Sequence, residues 1–415
     1  MTLASVVEKV LGEDLPVGVE AYDGSHAGPP DATTRIVIRN PEALRRAVTA
    51  PGELGLVRAY VAGDLDLEGS IWDLLALRDR FPNVRLSREV VGDLVRALGG
   101  WHRVRPVPPP PEEVVLRGRR HSKARDAAAI SHHYDVSNSF YRAVLGPSWT
   151  YSCAVFHEPN QSLEDAQANK YELICQKLGL RPGMRLLDVG CGWGGMVMHA
   201  AQHHGVRAIG VTISKQQAEM AEKRVAEAGL ARSVEIRLQD YRDVHDGPFD
   251  AISSIGMFEH VGEARLIEYF TTLRSLVAPH GRVLNHAISR PQDQRARLPR
   301  RSFIQRYVFP DGELHEVGKV VTQVQSAGFE VRHAESLREH YALTLRRWVD
   351  NLEANWDDAV AEAGEGRARV WRLYMAGSAV NFEANRNQVH QVLGVATPES
   401  GDARMPLRPR YDPII

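Results

Sequence analysis

Apolar stretches of strand length alternate with amphipathic stretches of helix length in the second half of the chain. The alternation predicts helices over 196–203, 215–228 and 265–276 between strands over 185–189, 207–212, 234–239, 251–255, 281–287 and 329–334. This order predicts an α/β fold, in which a parallel sheet is covered by helices on both faces. Residues 290–314 and 341–393 fall outside the rhythm, and we interpret them as insertions over one face of the sheet.

The first 105 residues have a pattern of their own. They contain a short strand over 34–38 and helices over 41–49 and 72–81. We therefore predict a small α+β domain over residues 1–105, and we expect it to associate with lipid or membrane.

A proline-rich segment separates this region from the rest of the chain. Pro106–Pro111 forms a stiff spacer that neither a helix nor a central strand accepts. The basic stretch Arg117–Arg125 follows, either as a solvated turn or as a patch that meets anionic lipid headgroups. We interpret residues 106–125 as a linker and residues 126–415 as the second domain.

Charge balance and cysteine content exclude several classes of protein. The chain has 51 basic and 52 acidic side chains, so no net field favours nucleic acid. No stretch approaches the roughly 18 to 20 apolar residues of a membrane-spanning helix, and the first residues lack the order of a signal peptide. Three widely spaced cysteines predict no disulfide framework. We expect a reduced, cytoplasmic protein that reaches lipid from the inner membrane surface.

Two pairs of histidines invite a metal interpretation. His132–His133 and His203–His204 are adjacent residues, which point in different directions on a helix. No acidic or sulfur partner stands at the spacing that metal ligands usually have. The sequence therefore predicts no metal site.

A glycine-rich loop follows the first strand of the predicted sheet. In Asp188–Gly195 the glycines allow a tight turn and the close approach of a nucleotide-like ligand. No Gly-Lys-Ser/Thr follows, which excludes a phosphate-binding loop, and Gly210–Ser214 lacks the acid that a dinucleotide requires after the second strand. S-adenosylmethionine remains, because Asp188 ends the first strand and Asp240, after the third, can hold the adenine amine.

Several separate motifs resemble one enzyme family. Between residues 130 and 393 the matching segments are 132–138, 151–153, 188–195, 210–214, 256–262, 306–310 and 341–345. They resemble cyclopropane-fatty-acyl-phospholipid synthases and mycolic acid methyltransferases, including the members that form 10-methylene fatty acids. The resemblance implies a Rossmann-like, class I S-adenosylmethionine-dependent methyltransferase domain with lid insertions. The additional N-terminal region points to the longer, phospholipid-acting members.

The resemblance also implies a reaction. A methyl group passes from S-adenosylmethionine to the cis double bond of an unsaturated acyl chain in a membrane phospholipid, leaving a carbocation. Aromatic faces can stabilise that charge without capturing it, and a dry site aligns the poorly nucleophilic alkene. A bound bicarbonate then removes a proton, and the product is a cyclopropane or a 10-methylene acyl chain. The residues leave both products open.

Catalytic positions are carried over from the family residue by residue. They are Cys153, Glu259, His286, the backbone of Ile288, Tyr341 and, in the first motif, His133. Tyrosine and histidine would donate hydrogen bonds to the bicarbonate, and the glutamate would share a proton with it. We expect a raised pKa for Glu259, because an ionised carboxylate beside an anion is electrostatically costly.

Cofactor positions follow from the same resemblance. Tyr151 and Ser152 would reach the methionine end, Gly190 and Gly192 would form the turn, Thr212 and Gln217 would hold the ribose, and Asp240 and Tyr241 the adenine. Asp188 either orients the loop or contacts the cofactor directly.

Other interpretations stay open for single residues and for the whole chain. Taken alone, Cys153 is typical of a packed core, His286 of a structural histidine, and Glu259 of a helix cap; their joint occurrence favours the site. The segment 300–309 is typical of a membrane-facing segment or of a solvated surface helix, and 370–382 either lines an acyl tunnel or packs as core. Rival functions are a methyltransferase acting on a small amine or other non-lipid substrate, and a non-catalytic lipid-binding protein. A homodimer formed through the N-terminal region is a further expectation.

Overall fold

The chain folds into two compact units. The computed structural model describes residues 2–11, 15–77, 88–114, 137–292, 301–310 and 312–411. The first unit comprises Met1–Val115, Pro299–Pro310 and Ala359–Gly377, and the second comprises Leu116–Leu298, Asp311–Asp358 and Ser378–Ile415. The predicted boundaries at residues 105 and 126 stay predictions, because the chain between 115 and 136 lies outside the described residues.

A four-stranded sheet and five helices from the N-terminal region make up most of the first unit. The strands are β1 (Gly18–Ala21), β2 (His26–Ala27), β3 (Arg35–Ile38) and β4 (Leu65–Glu68), in the order β2-β1-β3-β4. The helices are α1 (Leu3–Leu11), α2 (Pro41–Thr49), α3 (Glu53–Val61), α4 (Ile71–Ala76) and α5 (Arg88–Ala97). Helix α2 begins where predicted, because the Asn40 side chain accepts from the Glu42 amide and Pro41 occupies the first turn. The α+β prediction is confirmed.

Two segments from late in the chain complete the first unit. Residues Ile304–Val308 form a π-helical turn, and Tyr307 donates to Glu113 at 3.2 Å. Arg369 pairs with Asp66 at 3.0 Å. Both segments come from regions that the sequence pattern interprets as insertions, and the structure groups them with the N-terminal sheet.

The second unit contains a seven-stranded sheet in the order β10-β11-β9-β8-β5-β6-β7. Its strands are β5 (Arg185–Val189), β6 (Arg207–Thr212), β7 (Val234–Leu238), β8 (Phe249–Ile255), β9 (Val277–Ser289), β10 (Glu330–Ser336) and β11 (Gln388–Val395). Its helices are α6 (Asn138–Leu145), α7 (Leu163–Leu178), α8 (Gly195–His204), α9 (Lys215–Glu227), α10 (Leu266–Leu276), α11 (Val317–Ser326) and α12 (Arg338–Ala354). Two further helices, α13 (Trp356–Ala363) and α14 (Glu365–Glu383), contribute residues to both units.

The sheet is mixed rather than wholly parallel. Strands β9, β8, β5, β6 and β7 run parallel, whereas β11 is antiparallel to both β9 and β10. Strand β10 therefore runs in the same direction as β9, and the predicted direction is right for all six predicted strands. The prediction is wrong for the end of the segment 341–393, where the sequence pattern misses strand β11. The pattern misses this strand because it contains the polar residues His390 and Gln391. Both are bonded to partners in the sheet, and Gln391 also to Lys177 on α7.

Helices cover both faces of the sheet, as predicted. Leu186 packs in a cluster with α7, α8 and α9, while its neighbour Leu187 packs in a second cluster with α10 and α11. Neighbouring strand residues point to opposite faces, so apolar runs of this kind are typical of strands buried on both sides. Among the residues that the structure describes, none of the helices is long and apolar enough to span a membrane.

Helix α10 provides a matched test of this packing. Phe270 is fully buried in the second cluster, whereas Ile267 on the same helix is 42% exposed. We expect Phe270→Ala to lower the free energy of unfolding by about 3 to 5 kcal/mol, because it leaves a cavity. Ile267→Ala should cost less than about 1 kcal/mol. Chemical denaturation of both variants measures the difference, and equal losses would contradict the packing.

Candidate active site

A cavity opens at the carboxyl ends of the parallel strands. Its walls include all nine predicted cofactor positions, namely Tyr151, Ser152, Asp188, Gly190, Gly192, Thr212, Gln217, Asp240 and Tyr241. They meet because the carboxyl ends of neighbouring parallel strands lie at one edge of the sheet, where open α/β sheets bind their ligands. Sequence reasoning misses other wall residues, among them Lys170, Trp193, Met257 and His260.

The loop after β5 has a backbone that only glycine accepts easily. Gly190, Gly192 and Gly194 have φ values of +80°, +54° and +81°. A Cβ on Gly190 would lie 3.0 Å from the Cβ and Cγ of Met257, across the cavity wall. The loop therefore presents bare backbone to whatever occupies the cavity.

The acid that ends β5 is anchored inside the sheet. Asp188 Oδ1 accepts a hydrogen bond from Ser253 Oγ on β8 at 2.7 Å. Burial raises the pKa of Asp188 to about 6, while the hydrogen bond from Ser253 and the charge of Lys170 act in the opposite direction. This carboxyl both lines the cavity and is held in one orientation.

Side chains after β6 and β7 are also fixed. Thr212 Oγ1 donates to Gln217 Oε1 at 2.9 Å, and Ser214 Oγ caps α9 by accepting from the Gln217 amide. Asp240 accepts two bonds from the Arg242 guanidinium, at 2.8 and 2.6 Å. Thr212, Gln217 and Asp240 thus enter the cavity wall already positioned.

Glu259 and Ile288 meet directly. The Ile288 amide donates to Glu259 Oε1 at 2.6 Å, so this N–H already has a partner within the chain. Glu259 Oε2 is buried and has no hydrogen-bond partner among the described residues. As the sequence suggests, the pKa of Glu259 is raised, to about 7, and burial is the main cause.

His286 is held by a chain of donors that starts at Lys177. The Lys177 ammonium can only donate, and it gives a hydrogen bond to Gln391 Oε1 at 2.7 Å. The Gln391 amide nitrogen must then donate to His286 Nδ1, 3.1 Å away on the neighbouring strand. Burial, and after it the charges of Lys170 and Lys177, lower the pKa of His286 well below its ordinary value. The imidazole is therefore neutral, with its proton on Nε2.

Cys153 and Tyr341 meet at one backbone carbonyl. The oxygen of Leu337 accepts from the Tyr341 amide at 3.1 Å and from Cys153 Sγ at 3.6 Å. Burial raises the pKa of the Cys153 thiol, so it stays a thiol and a weak donor. His133, the remaining predicted catalytic position, lies outside the described residues.

A series of aromatic rings runs from the cavity to Tyr341. Tyr151, in the cavity wall, lies 5.2 Å from Trp348 between ring centres, and Trp348 lies 6.0 Å from Tyr341. Phe382 packs on the other side of Tyr341 at 4.7 Å. These rings offer apolar walls with negative faces, which attract a cation without bonding to it.

The sequence analysis finds no acidic or sulfur partner for the histidine pair His203–His204, and the structure shows that this is wrong for His204. On α7, Glu172 supplies an acid and Cys175 a sulfur beside the histidines of α8, so such partners do exist. Glu172 Oε2 lies 2.7 Å from His204 Nε2 and 3.4 Å from His199 Nε2. This cluster is a hydrogen-bonded link between two helices, apart from the cavity.

The raised pKa of Glu259 predicts a pH-dependent stability difference. Its folded pKa of about 7 exceeds the ordinary 4.5, so the folded state holds a proton that the unfolded chain releases, and stability falls as the pH rises through this window. Glu259→Gln does not ionise, so it lacks this loss of stability. The difference in unfolding free energy, variant minus wild type, should increase by up to about 3 kcal/mol between about pH 5 and pH 8. Denaturant titrations measure this difference, and a constant value would contradict the burial of the carboxyl.

Comparison with known proteins places this geometry in a family. The family model described as mycolic acid cyclopropane synthetase matches residues 121–392. A probable fatty acid methyltransferase of Mycobacterium tuberculosis is 50% identical over 409 residues, which are 96% of this chain and 95% of that protein. The tuberculostearic acid methyltransferase UfaA1 of the same species is 34% identical over 392 residues, 91% of this chain and 87% of that protein.

A solved structure extends the likeness to three dimensions. The mycolic acid cyclopropane synthase CmaA1, complexed with SAH and CTAB, matches with a TM-score of 0.61 and 35% identity over 65% of this chain and 98% of that chain. The second unit therefore has the class I S-adenosylmethionine-dependent methyltransferase fold, as predicted. The chain belongs to the mycolic acid cyclopropane synthetase family.

Proposed function

We propose that this protein is an S-adenosylmethionine-dependent methyltransferase that modifies the cis double bond of an unsaturated fatty acyl chain in a phospholipid. The observation that carries the proposal is the aromatic series from Tyr151 to Phe382, which joins the cofactor cavity to the buried donors around Tyr341. The relatives named as fatty acid methyltransferases support the acyl substrate.

The cavity fits S-adenosylmethionine. Bare backbone at Gly190 and Gly192 accommodates a nucleoside, Thr212 and Gln217 offer hydrogen bonds to a ribose, and Asp240 can accept from an adenine amine. The cofactor supplies a methyl group on a positively charged sulfur. Tyr151 and Ser152 stand where they would hold the end that carries this sulfur.

The buried polar groups fit a small anion such as bicarbonate. His286 Nε2 carries a proton and Glu259 Oε2 accepts one, and neither atom has a partner among the described residues. Cys153 and Tyr341 would add a thiol and a phenol as further donors. Ile288 acts through Glu259 here, since its amide holds that carboxyl in place. Bicarbonate bound at this point would supply the base that removes the final proton.

Side chains of the protein align the alkene and stabilise the carbocation. The aromatic rings exclude water and hold the alkene in line with the methyl group. This alignment lowers the activation barrier and compensates for the weak nucleophilicity of the alkene. Their faces stabilise the cation that develops on the acyl chain. The neutral imidazole of His286, fixed by Gln391, donates without adding a second positive charge near that cation.

The substrate and location belong to the proposal. The N-terminal unit supports a phospholipid substrate over a free acid, and we propose that the enzyme works as a homodimer at the cytoplasmic face of the membrane. The product is a cyclopropane or a 10-methylene acyl chain, because both routes remove a proton from the same transferred methyl group.

Methyl transfer to vesicles tests this function. We expect the purified protein to move labelled methyl groups from S-adenosylmethionine onto oleoyl phospholipid vesicles and not onto stearoyl vesicles, which lack the double bond. Mass spectrometry before and after mild reduction separates the products, since reduction adds hydrogen to a methylene and leaves a cyclopropane ring. Glu259→Gln should abolish turnover. Equal labelling of both vesicles, or wild-type activity in this variant, would overturn the proposal.

Gly190 gives a separate test of cofactor binding. Gly190 and Gly183 both have positive φ, but a Cβ on Gly183 meets nothing within 4 Å. Each alanine substitution should cost about 1 to 2 kcal/mol of stability from backbone strain. Only Gly190→Ala should also weaken S-adenosylmethionine binding, by at least about tenfold in calorimetry. Equal affinity in the two variants would contradict the cavity assignment.

A further inference from the structure

Lys170 is a buried amine that the reaction proposed above does not use. Its side chain on α7 is fully buried in the cavity wall. The amine donates to Ser152 Oγ at 2.9 Å and lies 3.9 Å from the centre of the Tyr171 ring. Across the part of the chain that the structure describes, no carboxylate stands within ion-pairing distance of it. A buried cation without such a partner lowers the stability of the folded protein, and a bound anion would compensate for this loss.

Lys177, two turns further along α7, shows the contrast. It is equally buried, but it pairs with Glu335 and donates to Gln391. Burial lowers the pKa of Lys170 to about 7, with Cys153 and Asp188 acting in the opposite direction. Of these two buried lysines of α7, Lys170 is therefore the one whose ammonium has no carboxylate partner among the described residues.

Lys170 lies near two of the predicted catalytic residues. Its amine bonds to Ser152, the neighbour of Cys153 in the chain. A Cβ on Gly256 would lie 4.0 Å from the Ser152 Cβ, and the Gly256 amide donates to the His286 carbonyl at 2.9 Å.

The Lys170 amine lies over the Tyr171 ring, and its positive charge acts to lower the pKa values of Cys153, Asp188 and His286. The carboxyl of Asp188 is already engaged by Ser253. Lys170 thus acts electrostatically on both Cys153 and His286.

The predicted anion-holding groups lack a positive charge. They are a thiol, a phenol, a neutral imidazole and a carboxyl, with one backbone amide that the carboxyl occupies. An anion buried among them alone would lose its hydration without gaining a counterion. The sulfonium cofactor and a charged Lys170 would in turn repel each other unless an anion lay close to both.

We propose that Lys170 is the counterion of a small oxyanion of the carbonate class, which it holds against His286 and Glu259. An ammonium has three protons, and Ser152 takes one of them. The oxyanion would also accept from His286 Nε2 and share a proton with Glu259 Oε2, two of the buried atoms that have no hydrogen-bond partner among the described residues. The inference rests on the proposed function and adds the residue that neutralises its anion.

Direct binding measurements test this role without turnover. We would titrate carbon-13 bicarbonate into protein saturated with S-adenosylhomocysteine and follow the bound signal by NMR. Lys170→Met removes the charge and the hydrogen bond, whereas Lys170→Gln removes the charge but keeps an N–H donor, on a side chain that is one bond shorter. Both should raise the bicarbonate dissociation constant at least about tenfold, which is about 1.4 kcal/mol. Lys223→Met, at an exposed position with the same change in net charge, should match wild type.

The outcomes separate this proposal from the proposed function. Cooperative thermal unfolding and a circular dichroism spectrum like those of wild type show that the variants are folded, and each variant is titrated at its own saturating concentration of S-adenosylhomocysteine. Wild-type bicarbonate affinity in either Lys170 variant, or no bicarbonate binding by the wild-type complex, overturns the role of Lys170. Failure to methylate oleoyl vesicles, with bicarbonate binding still dependent on Lys170, overturns the lipid substrate and leaves the counterion in place.

Discussion

Polar and charged groups that have lost their water must find partners inside the protein, and this constraint shapes the second unit. A cavity that brings an alkene to a methyl donor has to be dry, so each buried polar atom near it is expensive unless it is bonded. Asp188 is bonded across the sheet to Ser253, and Thr212 is bonded to Gln217. Strand β11 lies beside β9, where Gln391 faces His286. Glu259 Oε2 and His286 Nε2 are among the buried atoms without partners in the described residues, and they are the atoms at which we propose that the anion binds.

The sequence allowed much of the fold to be predicted, because local rules agree with the tertiary structure there. Strands β5 and β6 begin and end where predicted, since both are apolar runs bounded by turn residues. The cofactor cavity was predictable for a related reason. Once the strands are parallel and adjacent, their carboxyl ends converge, so residues separated by dozens of positions in the chain must meet.

The rest depended on contacts that no local pattern contains. Lys177 meets Gln391 across 214 positions of the chain, and a strand whose polar residues are buried looks like a surface loop until their partners are known. For the same reason the acid and sulfur of α7 were invisible from the histidines of α8. Lys170 escaped notice because a lysine in a helix is usually a solvated one.

Helix α7 begins at the cap of Ser162 and ends before the left-handed Gly179, so its length and its rotation about its own axis are fixed at both ends. Lys170 and Lys177 stand seven residues apart, nearly two full turns, and both amines therefore leave the same side of the helix. Each inserted or deleted residue between them would turn one amine by about 100° relative to the other. Substitutions on the outward side of this helix leave the two amines in place, whereas an insertion or deletion between them does not.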